Sequence, residues 1–203
     1  FWNAPLATEG HERRACLAAL AMFEALDELN RTEATAIRIG VGLNTGICCV
    51  GNLGSEQRFS YSAIGDAVNV AARVESLTKQ YGLRFLMTET TAEGAADLAI
   101  LEVDRVRVVG RSEPLAIFTL LGDDATAEEP EFLALKTAHD RMVEAYRSRA
   151  FESAAEALDA FGLSERHEPG LGLLQHRRVE RAAAEVVHRD HRAGLDALGR
   201  RVV

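Results

Sequence analysis

Arg58-Phe59-Ser60-Tyr61-Ser62-Ala63-Ile64-Gly65-Asp66-Ala67-Val68-Asn69-Val70-Ala71-Ala72-Arg73-Val74-Glu75 is the stretch on which the reading of this chain turns. From its middle onward, Ala67, Val70, Val74 and Leu77 recur at spacings of three and four, and Gly82 stands where a helix C-cap would. That pattern predicts one amphipathic helix over 65–80. Asn69 and Arg73 are i,i+4 neighbours on it, so both project from one side, beside the apolar stripe rather than within it. Spacing alone leaves two readings open: a polar pair that only solvates the helix, or a pair that works together on a ligand.

Upstream, 37–43 has strand character, and a second apolar run, 47–50, follows across Asn44-Thr45-Gly46. These are expected to be two strands joined as a hairpin, with a loop over 51–60. Gly40-Val41-Gly42 followed by Gly46 mimics a glycine-rich phosphate loop, but it leads into a second strand instead of a helix, so it is read as part of the hairpin turn. Before it, Cys16, Leu20, Phe23, Leu26 and Leu29 mark a helix over 11–30. Downstream, a short strand is expected over 83–87, a short helix over 88–96, and strands over 101–109 and 115–121. Interleaved helices and strands of this kind suit an α/β or α+β sheet with helices packed on it. The acidic, polar segment 123–130 reads as a boundary, which divides the chain into 1–122 and a helical extension, 123–203. Within the extension, Phe132, Leu135, Met142, Val143 and Tyr146 give a helical pattern, and 151–161 gives another. From His176 onward the Arg-rich end is expected to be a solvated helix or disordered.

The chain has 203 residues, 47% hydrophobic and 27% charged, with a formal net charge of -8. This is the composition of an ordinary globular domain with an appendage. The acidity argues against a general nucleic-acid binder, which needs clustered Lys and Arg on one face. Cys16, Cys48 and Cys49 have no CxxC spacing and are read as reduced, small apolar residues of a cytoplasmic protein. His188 and His191 stand at i,i+3 spacing, but no Cys accompanies them and an exposed face is expected. No apolar run approaches the roughly 18 residues that span a bilayer. The chain opens on Phe1-Trp2, without Met, as if in the middle of a fold, so an upstream part is expected.

Four motifs, in order, carry a resemblance. Gly65-Asp66-Ala67-Val68-Asn69-Val70-Ala71-Ala72-Arg73 resembles the GDxVNxAxR signature of class III adenylyl and guanylyl cyclases. Gly42-Leu43-Asn44-Thr45-Gly46 and Val50-Gly51-Asn52-Leu53-Gly54-Ser55 are similar to the family's NTG and VGNxG elements, and Phe1-Trp2-Asn3-Ala4-Pro5 to its FWNAP stretch. The resemblance covers roughly 1–122. It implies an α+β, ferredoxin-like (palm-type) cyclase domain, with an antiparallel-rich central sheet and packed helices.

The resemblance also implies roles. Asn69 would hold the ribose, and Arg73 would stabilise the charge that develops on the α-phosphate as the 3′-hydroxyl attacks it. A guanidinium suits that task, because phosphoryl transfer needs positioning and fixed positive charge more than covalent chemistry. Arg111 stands where the family usually has a Lys on the terminal phosphates, and Val109 where relatives often have another Lys, which implies weaker or differently arranged phosphate binding. Ser62, seven residues before Asn69, occupies a base-selecting position. Its small hydroxyl resembles the bacterial adenylyl cyclases, so ATP is expected over GTP. Asp66 is assigned to the helix N-terminus, where an acidic group is favourable. The two metal-binding aspartates would lie upstream of Phe1, so the Mg2+ or Mn2+ ions of the family have no assigned ligand in this sequence. The implied assembly is a homodimer whose active sites combine residues of both copies.

The expected function is therefore adenylate cyclase, making 3′,5′-cyclic AMP and pyrophosphate from ATP. The rivals are guanylate cyclase and a cyclase-like regulatory module that binds nucleotide without turnover. A nucleic-acid-binding ferredoxin-like domain would share the architecture, but it requires basic and aromatic residues on the sheet, and the central strands offer neither.

Overall fold

The structure, a computed structural model, describes residues 1–55, 58–106, 114–150, 153, 154, 156 and 157, without the side chains of 53–55, 58 and 59. The described residues divide into two compact units, Phe1–Asp124 and the part from Ala125 onward.

In the first unit, α1 (His11–Thr32) precedes β1 (Val41–Leu43), β2 (Cys49–Ser55) and β3 (Arg58–Ile64). They are followed by α2 (Asp66–Tyr81), β4 (Phe85–Thr88), α3 (Glu89–Glu93), β5 (Ala99–Val106) and β6 (Leu115–Gly122). One mixed sheet has the order β1-β4-β6-β5; β1 and β4 are parallel, and β6 is antiparallel to both of its neighbours. Strands β2 and β3 form a separate antiparallel ribbon. Sheet and helices together make the α+β architecture expected from the sequence.

Alternation along the strands assigns the two faces of the sheet. Ile39, Val41 and Leu43 from the β1 segment, with Phe85 and Met87 from β4, pack into a core with Cys16, Ala19 and Phe23 of α1 and with Ala92, Ala95 and Leu98 around α3. The intervening residues, Gly40 and Gly42, face α2 instead. The fit there is close: a Cβ on Gly42 would lie 2.3 Å from the Glu75 backbone nitrogen and 2.6 Å from the Ala71 carbonyl oxygen. Helix α2 thus rests on bare β1 backbone, with Val70 and Val74 fully buried. It ends at Gly82, whose left-handed φ of 65° accounts for glycine at the C-cap predicted there.

Two expectations about the first strands are corrected. The strand expected over 37–43 is only Val41–Leu43. At Ile37 the reason is local: the Asn30 side chain accepts from its N–H at 2.8 Å and donates to its carbonyl at 2.9 Å, so both backbone groups are already bonded. The expected hairpin between 37–43 and 47–50 does not form. Strand β1 pairs in parallel with β4, while 51–55 and 58–60, read as loop, belong to the ribbon in which β2 pairs with β3. Gly40 and Gly42 therefore serve helix packing rather than a hairpin turn.

Strand β5 begins at Ala99, and Val103 is buried as its alternation requires, although a bulge interrupts pairing between Glu102 and Asp104. Segment 107–113 lies outside the described residues, and with it Val109 and Arg111. At the expected boundary a short helix, α4 (Asp124–Glu128), forms. In the second unit, α5 (Pro130–Arg147) starts with Pro at its first turn, where the missing N–H costs nothing, and buries Phe132, Leu135, His139 and Met142 at helical spacing. Met142 packs with Ala154 beside Val143 and Tyr146. Of the helix expected over 151–161, Ser153, Ala154, Glu156 and Ala157 are helical, and the rest, like His188, His191 and the Arg-rich end, lies outside the described residues. Among the described residues, no helix is long and apolar enough to cross a membrane.

Candidate active site on the face of helix α2

Strand β3 runs directly into α2 through Gly65, and this junction sets where the signature residues stand. The Val68 and Asn69 backbone N–H groups both donate to the Gly65 carbonyl, closing the first turn. A Cβ on Gly65 would meet Cys48 and the Ile47 carbonyl at 3.2 Å, so the turn is held closely against the start of β2. Asp66 lies in the first turn, where its charge favours the helix dipole.

Asn69 and Arg73 are both exposed, one turn apart, while Val70 and Val74, on the adjoining side of the helix, are buried and anchor it. An anchored helix with two polar side chains on its open face is a rigid mount for groups that must meet a ligand in fixed geometry. Ser62, half-buried, is on β3 opposite Gly51, four residues before the helix starts. The structure thus places Asn69 and Arg73 on one helix face and Ser62 on the strand that feeds it.

Near the start of α2 lies a polar cluster in which Asn44 and Thr45, read from the sequence as a turn and as the NTG element, meet two threonines from the segment expected as a short helix. The Asn44 Nδ2 donates to the Ala67 carbonyl at 2.9 Å, and its Oδ1 accepts from the Thr88 hydroxyl at 2.8 Å. Thr91 Oγ1 lies 3.4 Å from Thr88 Oγ1 and 3.0 Å from Thr45 Oγ1. Thr88 and Thr91 are buried. The signal for this cluster was present in the alternation Gly40, Gly42, Asn44, which puts the asparagine in line with the two glycines that face α2.

Three exposed apolar side chains surround the same junction: Ile47 at 98% exposure, Ile64 at 60% and Val68 at 36%. Tyr61 and Phe1, also exposed, meet in a tilted contact, with ring centroids 5.8 Å apart and an interplanar angle of 51°. Among the described residues, no group of three or more His, Cys, Asp or Glu side chains could hold a metal ion. The divalent cations implied by the resemblance therefore find no such ligand set among the described residues.

Comparison with known proteins agrees with the motifs. Residues 4–122 match the adenylate and guanylate cyclase catalytic domain family. Adenylate cyclase 1 of Rhizobium meliloti is 34% identical over 127 residues, 60% of this chain and 19% of that protein. Adenylate cyclase of Anabaena cylindrica is 34% identical over 122 residues, 54% of this chain and 24% of that protein. The chain thus spans about a fifth to a quarter of the length of these relatives. Among solved structures, the guanylyl cyclase Cya2 superposes with a TM-score of 0.54 at 30% identity, over 60% of this chain and 64% of that one. The adenylyl cyclase CyaB from P. aeruginosa does so with a TM-score of 0.50 at 25% identity, over 59% and 64%. With its signature helix, its mixed sheet and more than half of its length matched, this chain belongs to the adenylate and guanylate cyclase catalytic domain family.

Proposed function

We propose that this domain acts as an adenylate cyclase, converting ATP to 3′,5′-cyclic AMP and pyrophosphate, and that it contributes the Asn69 and Arg73 side of the active site. The observation that carries the proposal is the exposure of these two residues, one turn apart, on a helix whose adjoining side is fixed by Val70, Val74 and Gly42.

In the reaction, the ribose 3′-oxygen bonds to the α-phosphorus, its proton leaves to solvent or a base, and the bond from the α-phosphorus to the bridging oxygen breaks to release pyrophosphate. Asn69, with an amide that both donates and accepts, orients the ribose. Arg73 places a permanent positive charge and a planar fork of donors against the oxygens on which charge accumulates. Ser62 offers a small hydroxyl for reading the base, and Arg111 a cation for the terminal phosphates. Mg2+ or Mn2+ would be held by carboxylates upstream of Phe1.

The proposed assembly is a homodimer. Ile47, Ile64 and Val68 form an apolar surface beside Asn69, and a second copy covering it would close the site from solvent while leaving two equivalent sites. On this reading the domain works in the cytoplasm, where its substrate ATP is held. A guanylate cyclase is the second reading, favoured by the likeness to Cya2 at 30% identity.

The deciding experiment measures cyclic nucleotide formation from ATP and from GTP, with Mn2+ and with Mg2+, by the full-length protein and by its Arg73→Ala variant. Formation of cyclic AMP that falls roughly 100-fold or more in the variant supports the proposal. Preference for GTP would move the assignment to guanylate cyclase. Nucleotide binding without any cyclic product would overturn catalysis in favour of a regulatory module.

A further inference from the structure

We propose that Asn44 is a positioning residue for Asn69, acting through the first turn of α2; this rests on the cyclase reading above.

The argument begins with proton bookkeeping. The Ala67 carbonyl can only accept, so the Asn44 contact at 2.9 Å must come from its Nδ2, and its Oδ1 is left to accept from Thr88 at 2.8 Å. The single Thr88 proton is then committed to Asn44. The looser 3.4 Å contact between Thr88 and Thr91 must be donated by Thr91, and the 3.0 Å contact between Thr91 and Thr45 by Thr45. The result is a one-directional chain, Thr45 to Thr91 to Thr88 to Asn44 to the Ala67 carbonyl. Its order leaves no member free to reverse without breaking the chain.

Placement gives that chain its use. Thr88 ends β4, Thr91 is in α3, and Asn44 directly follows β1, so three elements converge on one backbone oxygen in the first turn of α2. Ala67 is two residues from Asn69. The deep part of α2 is fixed by Val70, Val74 and the Gly42 contact, but its first turn has no side-chain N-cap bond, since the cap is Gly65. Asn44 takes over the task of holding that turn, from the carbonyl side instead of the N–H side. In a reaction governed by alignment of the 3′-oxygen, a small drift of the turn that carries Asn69 is felt in turnover.

The test is Asn44→Asp in the full-length protein. The substitution keeps the side-chain size and the acceptor for Thr88, but it puts an oxygen where Nδ2 donated to the Ala67 carbonyl. The expected result is a kcat for the favoured nucleotide lowered roughly 10- to 100-fold, with KM changed less than about threefold. In an Asn69→Ala background, with product read by mass spectrometry, Asn44→Asp is expected to cost less than about twofold, because the group it positions is already gone. Thr88→Val, which removes the donor to Oδ1 together with the acceptor for Thr91, should act in the same direction, and Thr88→Ser, which keeps both, should retain kcat within about twofold. That pair decides the matter should Asn44→Asp not fold. An equal loss in both backgrounds would mean that Asn44 is merely structural, and unchanged kcat in the single variants would mean that the chain has no part in turnover. Either overturns the role. A wild type inactive with both ATP and GTP would sink the cyclase reading and this role together, whereas an active wild type with a silent Asn44→Asp sinks this role alone.

Discussion

Gly42→Ala is the smallest change that tests how α2 is held. The added methyl would start 2.3 Å from the Glu75 backbone nitrogen, 2.6 Å from the Ala71 carbonyl oxygen and 2.6 Å from the Glu75 Cα. All three obstacles are backbone of one helix, so no side chain can swing aside; ordinary contact requires α2 to withdraw from β1 by about 1 Å. Withdrawal opens the interface in which Val70 and Val74 are fully buried. Overpacking by one methyl group costs typically about 1–3 kcal/mol, and an obstacle made only of backbone belongs at the upper end, about 3 kcal/mol. For a domain of this size that corresponds to a fall in Tm of roughly 10 °C, read by differential scanning calorimetry or by circular dichroism at 222 nm. The same withdrawal moves Asn69 and Arg73, so turnover measured well below the new Tm should fall roughly 100-fold. A Gly42→Ala protein that melts within about 1 °C of wild type and keeps its turnover would refute both the close approach and the inference that α2 is a rigid mount.

Cys16 and Ile64 supply the remaining predictions. Burial first, and then the charges of Glu12 and Asp97, push the Cys16 thiol up to about 12 from the usual 9.0. Because the folded state favours the protonated thiol, its contribution is fully present below about pH 9 and is lost as pH climbs toward 12, at up to about 1.4 kcal/mol per pH unit. Urea titrations of wild type and Cys16→Ala should therefore converge over that window, and parallel pH profiles would contradict the assignment. In the native protein, iodoacetamide at pH 8 should label exposed Cys49 and spare Cys16 until unfolding. Ile64, 60% exposed in the single chain, tolerates Asp without burying a charge in the monomer. If a second copy covers it, Ile64→Asp should convert dimer to monomer in sedimentation velocity and lower turnover at least roughly tenfold. An unchanged sedimentation coefficient with full activity would remove this surface from the proposed interface.

What could be read from the sequence was whatever a short window contains. Helices α1 and α2 were legible because their apolar residues repeat at 3.6-residue spacing, and Gly82 marked the end of α2 because a left-handed cap there favours glycine. The same window placed Asn69 and Arg73 on one helix side, and the four linked motifs pointed to the family to which the chain belongs. Pairing between strands is a property of distant segments, and there the local reading gave the wrong partner. Adjacent runs at 37–43 and 47–50 looked like a hairpin, yet β1 lies parallel to β4, because its bare glycine face is covered by α2 and its apolar face by α1. The segment 51–60 looked like loop because it holds two glycines and several polar residues, but backbone pairing, which joins 51–55 to 58–62, does not depend on side chains. Of the polar chain from Thr45 to the Ala67 carbonyl, only the alternation that puts Asn44 in line with Gly40 and Gly42 was legible: its members are separated by 46, 3, 44 and 23 positions and meet only when β1, β4, α3 and α2 converge. The sequence by itself determined which polar residues share one side of α2; tertiary structure alone decided how firmly they are held, since contacts across the fold carry no period along the chain.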